Sequence, residues 1–304
     1  MRQSLINLSA ATLFMIVPAS LMAQAPPPDP WSFSVQGGLA VQPEADFKDT
    51  DGAFSVDRIF VSASLDYQWN FRNSMGVSIG GGNSDYDFAN LGGPEDEAPW
   101  GKIENRRVSL SGRFGFGEKG SIFVIPTLRF NGESGASSSD SRSWGLLGGL
   151  AWRIDENLTI GPGLGIFDRI EDSTRVFPIL LIDWNIGEHW NLSTGRGLAA
   201  SQGPGLTFSY QLAPSWQLAF TGRYEEVNFR LDDQGPAPGG VGTDESIPLV
   251  LGASWEPNES FGLAVFAGVE LGGELELKDV AGQVLSSREY DPAPIIGATF
   301  EFKF

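Results

Sequence analysis

The chain has 304 residues, a formal charge of -18, one histidine and no cysteine. That acidity excludes nucleic acid as a partner, and the missing thiols exclude disulfides, thiol chemistry and Cys-based metal sites. Thirty-nine glycines and 12% aromatic residues, with little helix-favouring composition, point to a β-rich protein.

The chain opens as a secretory signal. Arg2 gives the positive start, Ala10–Val17 carries most of a short apolar run, and Ala23-Gln24-Ala25 offers a small-residue cleavage site. Residues 1–25 are therefore expected to be removed, leaving 26–304 as a single domain one charge more negative. No later stretch has the unbroken apolar length of a membrane helix. A membrane form of this chain has to be a closed β-barrel.

After Pro26–Pro30, a first strand is expected from about Trp31 to Val41, followed by the polar segment Glu44–Gly52. Ile59, Val61, Ala63, Leu65, Tyr67 and Trp69 then alternate with Arg58, Ser62, Ser64, Asp66 and Gln68. Period two is the signature of a strand with two different faces. The unit recurs through Val108–Phe116, Trp144–Trp152, Leu180–Ile186, Leu206–Leu212, Trp216–Phe220, Ile247–Trp255 and Leu263–Leu271. About fourteen strands result, an even number within the range of bacterial barrels.

The connections sort by length. Short turns fall near 72, 118, 156, 187, 214 and 257, and longer polar loops near 44–52, 84–99, 132–141, 168–174, 198–203, 231–243 and 278–290. An up-and-down antiparallel transmembrane barrel has short periplasmic turns and long extracellular loops. A soluble sandwich has no reason to sort them. Trp69, Trp152, Trp184, Trp216 and Trp255 all stand beside short turns, where an interfacial aromatic girdle belongs.

The chain ends Phe300-Glu301-Phe302-Lys303-Phe304. Its alternating Phe residues resemble the C-terminal signature of bacterial outer-membrane proteins. That resemblance implies residence in the outer membrane, contact with its lipid and lipopolysaccharide, and recognition of Phe300, Phe302 and Phe304 by the barrel-assembly machinery. With the neighbourhoods Gly203-Pro204-Gly205 and Trp255-Glu256-Pro257, the mature chain also resembles an uncharacterised outer-membrane β-barrel family, which implies no activity.

Chemistry is sparse. Outer-membrane phospholipases and lipid A deacylases use a Ser–His pair with a polar or acidic third group, and the one histidine here, His189, falls in a short turn beside Trp190. No enzyme, cofactor or conventional metal site is expected. Asp46, Asp49, Asp51, Asp85, Asp87, Glu95, Asp96 and Glu97 crowd two loops but lack the spacing of a calcium loop, and read as a solvated surface. Gly161, Gly163 and Gly165 put small residues on one face of a strand.

The polar faces say more. Arg58, Arg107, Arg113 and Arg129 come from early strands, and Arg223, Glu225, Glu270 and Glu274 from late ones. Facing each other across a lumen, these arcs either brace the interior or form a selective constriction. The expected function is a porin-like passive channel for small solutes. The alternative is a structural or surface-interaction barrel with a plugged lumen, with a lipid-modifying enzyme behind both.

Overall fold

The computed structural model describes residues 30–91, 97–195 and 205–304. The signal segment, the loop at 198–203, and Glu95 and Asp96 lie outside the described residues. In chain order the strands are β1 (Trp31–Asp46), β2 (Ala53–Asn70), β3 (Asn73–Ala89), β4 (Lys102–Phe116), β5 (Gly120–Glu133), β6 (Arg142–Arg153), β7 (Leu158–Arg169) and β8 (Asp172–Ile186). They continue as β9 (Trp190–Gly195), β10 (Gly205–Ala213), β11 (Trp216–Arg223), β12 (Glu225–Arg230), β13 (Val241–Asn258), β14 (Phe261–Lys278), β15 (Val284–Glu289) and β16 (Ala293–Lys303).

These segments make a closed antiparallel barrel of 14 staves among the described residues. Neighbours in sequence pair from β1 to β11, β13 then joins β11, and β14 joins β13. The ring closes where β16 pairs with both β14 and β1. Two staves are broken: β12 continues β11 along β13 after Tyr224, and β15 precedes β16 along β14. At the seam, Phe33 and Phe304 exchange backbone hydrogen bonds of 3.3 and 2.8 Å, so the last residue ties the barrel shut.

Local sequence chemistry sets the turns. Asn70 Oδ1 accepts from the N–H of Arg72 and of Asn73, and Asp155 Oδ1 from those of Asn157 and Leu158, closing side-chain-capped turns. Gly117 and Gly187 take φ of 53° and 72°, a conformation glycine adopts without strain. Six such short turns define one end of the barrel, the turn end. At the opposite loop end, two expected loops are corrected. The connection near 168–174 is only Ile170-Glu171, because β7 and β8 run almost to its tip, and 278–290 contains β15.

Side-chain polarity then splits the barrel into two storeys. Along β2, Ile59, Val61, Leu65 and Trp69 face outward and are exposed. Ten residue steps at about 3.3 Å, inclined at about 40°, give a height of about 25 Å, that of a membrane-facing apolar band. Met75–Ile79 on β3, Val108–Phe116 on β4, Ile247–Trp255 on β13 and Ile296–Phe302 on β16, with Phe304 just past its end, continue the band. Trp69, Trp152, Trp184, Trp216 and Trp255 line its turn end, with Trp216 and Trp255 6.3 Å apart.

Beyond Arg58 the pattern reverses. Ser55 and Asp57 face out while Phe54 and Val56, each 1% exposed, face in. The same inversion puts Asp85 and Asp87 outside Tyr86 on β3, and Lys102 outside Ile103 on β4. The buried side chains join Phe47, Trp100, Phe229, Leu275 and Tyr290 in one apolar cluster filling the loop-end storey. Trp100 packs edge-on to Phe229 at 5.1 Å, and Phe54 to Tyr290 at 4.8 Å. A water-soluble core thus sits on top of a membrane barrel, as a cap.

On β14 the reversal needs one extra residue. Gly272, with φ of 58°, makes the bulge that lets Glu270 face in below it and Leu275 and Leu277 face in above it. At Gly273 an added Cβ would run into the ring of Tyr290. Gly273→Ala is expected to lower stability by about 1–3 kcal/mol through displacement of that ring. The urea midpoint of the folded barrel measures it.

Candidate functional site: a charged constriction beneath the cap

Where the two storeys meet, charged side chains reach through the lumen between staves that are not neighbours, from β2 to β13 and β14. Arg58 on β2 reaches Asp244 Oδ2 on β13 at 3.3 Å and Glu270 Oε1 on β14 at 3.5 Å. It also donates to Gln42 Oε1 on β1 at 3.4 Å. Tyr86 donates to the same Asp244 oxygen at 2.7 Å. Strands distant in sequence are thereby tied across the interior. Glu270 is only 2% exposed, so its charge depends on Arg58.

Arg223 and Glu225 stand beside this knot, 3.8 Å apart at the break between β11 and β12. The register sets Arg223 and Glu270 on either side of Pro248, since Gly222 pairs with Leu249 and Pro248 with Glu270. Four of the eight candidate lumen residues, Arg58, Arg223, Glu225 and Glu270, therefore converge on one level. The other four lie elsewhere. Arg107 and Arg129 are cross-strand neighbours on β4 and β5, with Arg129 over the Phe167 ring at 5.7 Å. Arg113 lies at the turn end and donates to Phe71 O at 2.6 Å. Glu274 is on the opposite face of β14 from Leu275 and accepts from Ser287.

The break at Tyr224 turns β12 inward. Its last residue, Arg230, bridges to Gly132 on β5, on the far side of the ring. Phe229 is fully buried in the cap. The opposite face of β12 is clipped to the β7–β8 hairpin: Glu226 accepts from Arg175 and pairs with Arg169 Nε at 2.8 Å, and Arg230 pairs with Glu171 at 2.7 Å. Asn228 Oδ1 accepts from the Ile170 N–H at 2.8 Å. Beyond the band, burial pushes the Asp172 carboxyl up. The Ser173 N–H, Lys278 and Arg169 outweigh that and hold it below the usual aspartate range.

Below the constriction the lining of the lumen is mixed. Ser62, Ser109 and Thr127 face inward on the β2–β5 arc, and Thr207, Ser209, Thr221 and Ser254 on the β10–β13 arc. Ala40, Val250, Phe266 and Ile295 form an apolar patch beside them. On β5–β8 the inward residues include Ile125, Leu147, Phe177, Ile179 and Leu181. The glycines at 149 and 165 let Leu181 and Phe177 lie flat on the wall. Of the Gly161, Gly163 and Gly165 strand, Gly165 lies against the Phe177 ring, Gly163 against Ile179 and Leu181, and Gly161 against the Leu150 carbonyl of the neighbouring strand.

His189 lies in the β8–β9 turn with its ring 5.7 Å from Tyr210. Among the described residues, no three Asp, Glu or His side chains converge as metal ligands would.

The constriction was partly legible from charge on alternating positions. Gln42, Tyr86, Asp244 and Tyr290 were missed. Asp244 and Tyr290 fall in stretches read as loop or loop edge. The available signal was the change of parity: apolar residues move from odd positions at Ile59–Trp69 to even ones at Phe54 and Val56.

No family model matches the chain, and no curated protein does either. Solved structures do resemble it. One is an outer membrane channel from Pseudomonas putida F1, with TM-score 0.49 and 10% identity over 92% of this chain and 100% of that one. A Pseudomonas aeruginosa FadL homologue has TM-score 0.45 and 12% identity over 90% of each chain. The KdgM porin in complex with disordered oligogalacturonate has TM-score 0.36 and 11% identity over 88% of this chain and 97% of that one.

Proposed function

We propose that the protein is an outer-membrane channel for small solutes whose outer mouth is closed by its own cap. In this reading the turn end faces the periplasm, the loop end faces outward, and the apolar band with Phe300, Phe302 and Phe304 meets lipid. The same Phe residues serve as the signal for the barrel-assembly machinery, and lipopolysaccharide surrounds the loop-end storey. The observation that carries the reading is the Arg58–Asp244–Glu270 crossing. A charge cluster projecting into the lumen at the boundary of the mixed lumen and the packed cap is where passage is decided.

A second reading, a structural or surface-interaction barrel with a plugged lumen, is favoured by the apolar cluster alone. Planar-bilayer recording separates the two. Discrete, infrequent steps from the wild-type chain, more frequent once Arg58 is removed, support the channel. A barrel that is folded by heat-modifiable gel mobility, yet silent in both forms, leaves the plugged reading.

A further inference from the structure

Past the apolar band, the outward face of the barrel is mostly acidic. Asp46 on β1, Asp57 on β2, Asp85 on β3, Asp168 on β7, Glu276 on β14 and Glu289 on β15 stand there. Lys48 and Lys278 are held by acids, 2.7 Å from Glu289 and 2.8 Å from Glu276, and Lys102 is the register partner of Asp85. The sector β4–β6 is the exception. Its last exposed apolar residues, Val108, Leu128 and Trp144, are cross-strand neighbours in one row. The next outward row is Arg106, Phe130 and Arg142. The Arg106 side chain is 68% exposed. Arg142 is exposed and holds no ion pair among the described residues.

Neighbouring staves lie about 4.8 Å apart, so the two arginines stand about 10 Å apart with Phe130 between them. Arg106 also meets Glu104 at 2.9 Å. An exposed pair of that kind is weak, and a guanidinium has five donors to share. Its fork matches phosphate oxygens two at a time. Phe130 and Trp144 run without a break into the lipid-facing band, so a phosphate held here belongs to an amphiphile whose chains lie against Leu128 and Val108. Two cations at this spacing call for two phosphates held apart on one headgroup. We propose that Arg106 and Arg142 bind the bis-phosphorylated sugar headgroup of lipid A, the lipid of lipopolysaccharide, one phosphate to each arginine. Trp144 takes the interfacial place that aromatic side chains hold beside headgroups. A free phosphate has no use for the apolar floor, and a phospholipid brings one phosphate to two arginines.

This rests on the reading that sets the loop end in the outer leaflet, and it adds the lipid held there and the residues that hold it. Native mass spectrometry of the full chain in detergent micelles tests it without conductance. The probes are bis-phosphorylated lipid A, its dephosphorylated form and phosphatidylglycerol. One bis-phosphorylated lipid A is expected to stay bound per barrel, with the other two lipids about tenfold or more weaker. Arg106→Gln and Arg142→Gln should each weaken lipid A about tenfold, the loss of a charge-assisted contact. Lys48→Gln, a rim cation on another sector, should leave it unchanged. Dephosphorylated lipid A binding as tightly overturns the proposal in favour of apolar contact alone. Phosphatidylglycerol binding as tightly overturns it in favour of a general anionic-lipid surface. Unchanged affinity in both arginine variants overturns it by placing the lipid elsewhere. A barrel that conducts and does not bind lipid A refutes this inference alone, whereas a silent barrel that binds it refutes the channel.

Discussion

Arg58→Ala is expected to release the cap while leaving the barrel intact. Among the described residues, Arg58 is the one cation placed within 3.5 Å of both Asp244 and Glu270. Removing it strands two buried carboxylates, and breaking a buried ion pair in this way costs about 3–5 kcal/mol. The loss falls on β12, β13 and the aromatic cluster above the band, because the membrane-level hydrogen-bond ladders do not include Arg58's side chain. In planar bilayers the variant should therefore show more frequent and larger conductance steps than the wild type. Its heat-modifiable mobility should persist. A folded variant with unchanged conductance would show that the knot does not control passage.

Leu251→Arg tests the lower storey. Leu251 is 66% exposed and stands midway between Ile247 and Trp255 on the outward face of β13. An arginine facing lipid at the bilayer midplane costs about 2–4 kcal/mol, falling to about 0–1 kcal/mol near the interface. Asp57→Arg, outward on β2 just past Ile59, should by the same rule be nearly neutral. Urea unfolding from lipid vesicles measures both. Equal costs would mean that the band does not end at Ile59.

How much of this was readable in advance follows from what period-two alternation encodes. It says which residues share a face, so Ile59–Trp69 and Phe300–Phe304 were assigned correctly, and the turns at Asn70 and Gly117 were marked by their residue types. It does not say which medium a face meets. That depends on height above the membrane, and the meaning of a face changes within a single strand at Arg58. Phe54, Val56, Tyr86 and Phe88 alternate with Ser55, Asp57, Asp85 and Asp87 as regularly as the band does. The polar members of the second stretch made it look like part of a loop. The 84–99 loop lost its first residues to β3, and the 44–52 loop was shortened by β1 running on to Asp46.

The constriction was half legible for a different reason. Arg58, Arg223 and Glu270 announce themselves as charges on an inward face. Their meeting depends on a bend at Tyr224 and a bulge at Gly272, which bring together residues some 200 positions apart, Arg58 with Asp244 being separated by 186. No local pattern carries that. Arg107 and Arg129 look equivalent to Arg58 in sequence and occupy a different part of the wall. Arg113, equally regular, braces a turn.

The most direct test of the two-storey account is a spin-label scan of outward positions along β2, at Ser55, Asp57, Ile59, Val61 and Leu65, in lipid vesicles. Accessibility to oxygen, which concentrates in hydrocarbon, should exceed accessibility to a water-soluble nickel chelate at Ile59, Val61 and Leu65. The order should invert at Asp57 and Ser55. Lipid-like accessibility continuing through Ser55 would contradict the account, because the cap's outer surface would then be inside the membrane.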